Sequence, residues 1–168
     1  MKNLKIVYTI IICVLYSNIS AQEKEDSQEA FAIFEINDAR DNGVDITPEA
    51  LEDSAKLVLY KAVDGKEIMF SNFWTKSNSQ SYGRIYSITK KEIAETATEY
   101  GCALYNFQWS YNNSYDDKKG TAKIRLFVIY KPQGVYFECT VLQENLNKVV
   151  YKGQMEGDLA ALESSIKK

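Results

Sequence analysis

Thr121-Ala122-Lys123-Ile124-Arg125-Leu126-Phe127-Val128-Ile129-Tyr130-Lys131-Pro132-Gln133-Gly134-Val135-Tyr136-Phe137-Glu138-Cys139-Thr140-Val141-Leu142 is the stretch whose reading decides the fold. Ala122, Ile124, Leu126, Val128 and Tyr130 alternate with Lys123, Arg125, Phe127, Ile129 and Lys131. Beyond Gly134, Val135, Phe137, Cys139 and Val141 alternate with Tyr136, Glu138, Thr140 and Leu142. A period of two marks strands with one face more buried than the other. Lys131-Pro132-Gln133-Gly134 is the turn, with proline where its fixed φ suits a type I turn. Pairing Lys131 with Gly134 sets Val128 opposite Phe137, Leu126 opposite Cys139, Phe127 opposite Glu138 and Arg125 opposite Thr140. A one-residue slip would move a whole apolar set to the wrong face, so the first register is expected. Val149 and Tyr151 continue the pattern in a third strand, giving a meander that the rest of the chain must cover or complete.

Working outward, further strands are expected at 30–36, 57–62, 67–75, 82–88 and 102–111, beside 121–130, 135–142 and 148–155. Asn37 to Gly43 reads as a turn-rich loop. Asp38, Asp41 and Asp45 there do not have the spacing of a calcium loop, and Asp and Asn serve turns for their own hydrogen-bonding reasons. Thr47-Pro48-Glu49 predicts a short helix with threonine as N-cap, pinned by Leu51 and Ala55. Asp64-Gly65 between apolar runs is a hairpin signal. Thr89-Lys90-Lys91-Glu92 has the spacing of a capping box and suggests a helical turn through Ala94. Asp158 is placed to cap a terminal helix carrying Leu159, Leu162 and Ile166.

Lys2 and Lys5 precede the apolar run Ile6–Tyr16, and Ser17 to Ala21 supplies small residues. Residues 1–21 therefore read as a secretory signal peptide cleaved after Ala21. The run is too short to span a bilayer as a helix. Bulky Ile12 stands before Cys13, where a lipoprotein cysteine site prefers a small residue. The remaining 22–168 is expected to be a single β-rich domain with a mobile, charged start at 22–29, exported to the periplasm, cell surface or exterior. Losing Lys2 and Lys5 takes 20 basic side chains against 23 acidic ones to a net charge of about −5. That balance, without a basic patch interleaved with aromatics, argues against a nucleic-acid partner. No apolar stretch beyond Ala21 is long enough for a transmembrane helix.

The chain has no histidine. The usual general base and the commonest metal ligand are thus missing, along with Ser-His-Asp and Cys-His catalysis. Asp116 and Asp117 sit in a turn beside Lys118 and Lys119, and Glu138 shares its face with Thr140, so solvated surface is the reading for all three. No catalytic constellation, metal site or cofactor is expected. Cys102 and Cys139 remain after export. An oxidising compartment permits a disulfide between them, and two small buried thiols is the other reading.

One feature could bind something. Tyr105, Phe107, Trp109 and Tyr111 share one strand face, opposite Cys102, Leu104, Asn106, Gln108 and Ser110. Aromatics line apolar pockets, but on one strand face they also simply build a core.

Eight strands with short connections favour an up-and-down sheet that closes on itself, since closure removes exposed edges. The rival is a curved open sheet or a two-sheet sandwich with a helix packed on it. In strand order, and in the loop Gly43-Val44-Asp45-Ile46-Thr47, the chain resembles the calycins, the lipocalin-like barrels, and particularly their small secreted bacterial members. Phe34-Glu35-Ile36 stands where lipocalins proper carry glycine-x-tryptophan, so no family ligand residue carries over. The concentration of aromatic area on one strand face, in a chain without histidine, favours a non-catalytic binding protein, holding a small apolar molecule in a barrel interior lined by Tyr105, Phe107, Trp109 and Tyr111. The alternative is an envelope-protein interaction or inhibitor module with a filled core and an exposed aromatic patch on loops such as 72–82.

Overall fold

A computed structural model describes residues 30–96 and 100–166, so the expected export signal and the start at 22–29 lie outside the described residues. The chain forms β1 (Ala30–Asp41), β2 (Val44–Asp45), α1 (Thr47–Glu52), β3 (Lys56–Lys61), β4 (Ile68–Trp74), β5 (Ser79–Ile93), β6 (Cys102–Asn113), β7 (Lys119–Lys131), β8 (Gly134–Gln143), β9 (Lys148–Gly157) and α2 (Ala160–Ile166). Each long strand pairs antiparallel with the next, and β9 returns to β1, from Ala32 opposite Gly157 to Asp41 opposite Val149. This is a closed eight-stranded up-and-down barrel with two short helices, to which β2 adds a two-residue extension on β1. The open-sheet and sandwich alternatives fall with the β1–β9 pairing.

The central hairpin has the expected register: Lys131 faces Gly134, Val128 faces Phe137, Leu126 faces Cys139 and Arg125 faces Thr140. Ala122, Ile124, Leu126 and Val128 point inward and are buried, as are Phe137, Cys139 and Val141. Phe34 and Phe137 meet edge-on with centroids 5.0 Å apart, joining the first strand to the meander.

Several local expectations are corrected. β1 continues through Asp41, because a bulge between Ile36 and Asp38 keeps Ala39 on the interior face despite the turn-forming residues. The chain reverses at Asn42-Gly43, both at positive φ. Asn42 bonds across to Asn147 and accepts from the Lys148 amide, while Asp45 Oδ1 accepts from the Thr47 amide, which is turn chemistry. Thr47 is not the cap; Ile46 holds that position, and Thr47 Oγ1 instead accepts from the Ala39 amide at 3.0 Å. Ala50, not Leu51, pins α1: Ala50 is buried and Leu51 is 55% exposed. Residues 89–93 extend β5 rather than forming a helical turn, since the bulge at Tyr86–Thr89 restores pairing of Lys90 with Tyr105. In the stretch 72–82, Trp74 packs on the core and the amides of Thr75, Lys76 and Ser77 donate to Asp53, while Phe73 is half-buried and Tyr82 exposed.

Leu159, whose carbonyl accepts from the Glu163 amide, holds the N-cap position of α2; Asp158, expected there, stands one residue earlier and its Oδ1 accepts from the Ala160 amide at 2.8 Å. Leu159 and Leu162 are buried and Ile166 packs beside them. Among the described residues no helix is long and apolar enough to cross a membrane. The barrel's interior is apolar, while Lys123, Arg125, Glu138 and Lys152 stand mid-strand on its outside.

Candidate functional site

Tyr105, Phe107 and Trp109 alternate inward along β6, and each is almost fully buried. The structure brings all four expected aromatics together on the interior wall. Phe70 of β4 meets Phe107 edge-on at 5.9 Å and Trp109 at 5.1 Å, and Trp109 lies against Tyr111 at 4.6 Å. Gly83 makes this possible. It lies between Phe70 and Tyr111 in the pairing of β4, β5 and β6, and an added Cβ would fall 1.9 Å from the Ser110 carbonyl oxygen.

The polar tips of the interior are mostly paired. Tyr105 Oη donates to Glu163 Oε1 of α2 at 2.7 Å, and Lys90 Nζ donates to the same oxygen at 2.6 Å. Burial first, then the Glu163 carboxylate, pushes the Tyr105 phenol far above its ordinary range. Burial works against the Lys90 ammonium, yet its hydrogen bonds to Glu163 and Glu92 outweigh that and raise its pKa. Toward the opposite end, Asn72 Nδ2 donates to Tyr151 Oη at 2.9 Å across the interior. Asn72 Oδ1 and Trp109 Nε1 are buried with no hydrogen-bond partner among the described residues.

The cysteines are separate thiols. Cys139 points into the core from β8, and Cys102 points outward from β6, with β7 between them. Two inter-strand spacings, about 10 Å, and opposite faces place them beyond bridging distance. Burial raises the Cys139 thiol well above its usual value.

The concave surface that sequence reasoning missed is on the outside. Two grooves of about 340 and 350 Å³ adjoin across β6, β7 and β8, sharing Gln108, Lys123 and Leu142. Pairing builds them in rows: Asn106 beside Arg125 beside Thr140, then Gln108 beside Lys123 beside Leu142. One end is bounded by Thr121, Glu144 and Leu146, the other by Ser87. Ser87 has φ of 55° in the β5 bulge, a left-handed conformation uncommon outside glycine and concentrated at functional positions. Lys123 and Arg125 are exposed and have no ion-pair partner among the described residues; the neighbouring Glu138 is held by Lys152 at 3.2 Å. The Arg125–Thr140 pairing was in the expected register and is the signal from which this row could have been found.

Compared with models of known protein families, with curated proteins and with solved structures, the chain matches none.

Proposed function

We propose that the chain is an exported, non-catalytic binding module of calycin-like architecture that works from the outer face of a filled barrel. One observation carries this reading. Phe107, Trp109 and Tyr111, expected to line a ligand pocket, are spent on ring–ring packing and Tyr105 on a bond to Glu163, while contiguous grooves run along β6–β8 outside with cations that have no ion-pair partner among the described residues. A small apolar ligand inside would need space that Phe70, Phe107 and Trp109 occupy. The lack of histidine in the chain supports the non-catalytic reading. The start of the sequence, with its two lysines and short apolar run, supports export.

Site-specific photo-crosslinking tests this. A crosslinker at Gln108, in the groove, is compared with one at Lys56, on β3 away from it. Discrete adducts in host extracts from position 108, absent from position 56, are expected. Equal adducts from both, or none from 108 alongside saturable uptake of apolar dyes, would return the site to the interior.

A further inference from the structure

The groove across β6–β8 has a repeat that matches a particular kind of chain. Arg125 and Lys123 are two residues apart on one strand face, so their side chains leave the sheet about 7 Å apart. An extended peptide lying lengthwise in the groove also presents every second side chain at that spacing. The barrel is closed, and β6, β7 and β8 are paired on both sides, so no sheet edge is offered there for strand addition. Recognition must then come from side chains. Asn106 and Gln108 supply exposed amide groups beside the two cations, and Leu142 with the aliphatic stems of Lys123 and Arg125 gives the second groove its carbon surface. Such a lining suits an occupant that mixes carboxylates with carbon rather than a uniformly polar polyanion. Glu144 is the acid at the groove's end, and it is engaged by Thr121. In a chain with more acidic than basic side chains, two adjacent cations without counter-ions among the described residues complement a negatively charged partner.

We infer that the groove takes an extended acidic peptide segment of a protein partner, with carboxylates at alternate positions meeting Arg125 and Lys123. This rests on the outer-face reading above and names its partner chemistry. The probe is a fluorescein-labelled peptide of six Glu-Thr repeats, titrated into the protein by fluorescence anisotropy. A peptide of the same composition, with six glutamates followed by six threonines, and a polyuronate chain serve as comparisons. Saturable binding of the alternating peptide is expected, at least threefold tighter than the block peptide and weakened by salt. K123E/R125E should weaken it at least tenfold, and K123Q/R125Q by a smaller factor, with unfolding midpoints unchanged because both side chains are exposed. Equal affinity for the two peptides, insensitivity to both double variants, or binding of the polyuronate alone would overturn the inference. Adducts at Gln108 without peptide binding would sink the acidic-peptide partner while leaving the outer-face reading standing.

Discussion

Tyr105 of β6 donates a 2.7 Å hydrogen bond to Glu163 of α2, tying the buried aromatic wall to the helix that packs on it. The bond is partly buried, with Lys90 on the same carboxylate, so it belongs to a charge-assisted network. Removing Glu163 takes the carboxylate acceptor from Tyr105 and leaves Lys90 with Glu92 alone; removing only the phenol oxygen leaves Lys90 on both carboxylates. Glu163→Ala is therefore expected to cost about 2 kcal/mol and Tyr105→Phe about 1 kcal/mol in denaturant unfolding. The reverse order would mean that α2 is held by Leu159 and Leu162 alone.

Three buried groups make stability depend on alkaline pH. Cys139, Tyr105 and Tyr151 all have their pKa raised, by burial first in each case, from ordinary values of 9.0, 10.0 and 10.0. The folded chain keeps these protons where the unfolded chain releases them. Stability should thus be fully present below about pH 9 and fall above it, by up to about 1.4 kcal/mol per pH unit for each group. Cys139→Ala should delay the onset of the fall toward pH 10. A flat profile to pH 11 would show that these side chains are hydrated.

Glycine matters differently at two places. Gly134 has φ of 139° with open space around it, so Gly134→Ala is strained only by its backbone and should cost about 1–2 kcal/mol. Gly153 sits on the closing seam, where an added Cβ would lie 1.8 Å from the Glu35 carbonyl oxygen. Backbone on both sides cannot yield without loosening β1 from β9, so Gly153→Ala should cost more than about 3 kcal/mol or prevent closure. Thermal unfolding of the two variants side by side gives the comparison.

Where alternation was sustained on both partners, as at Leu126–Cys139, pairing could be read from sequence, because a slip would have reversed every face. It failed where a bulge rescued a strand from unfavourable local residues. Asn37 to Asp41 look like a loop and Thr89 to Ile93 like a helix start, yet tertiary pairing carries both. Ala50 outranked Leu51 as an anchor because the orientation of a single helical turn is set by β1, which its own sequence does not encode. The aromatic side chains were found, but their role depends on Phe70 facing them from another strand. The outer groove was harder to see, since Asn106, Gln108, Lys123, Arg125, Thr140 and Leu142 become one surface only through the pairing of three strands.

The central claim, a filled barrel that binds from outside, turns on whether Phe107 is core. Equilibrium denaturant unfolding of Phe107→Ala against the parent chain measures this directly. A side chain only 3% exposed and packed on Phe70 should leave a cavity costing about 3–5 kcal/mol, with no change in crosslinking at Gln108. A loss below about 1 kcal/mol, accompanied by altered uptake of apolar dyes, would mean that Phe107 borders a ligand space and would contradict the filled-barrel reading.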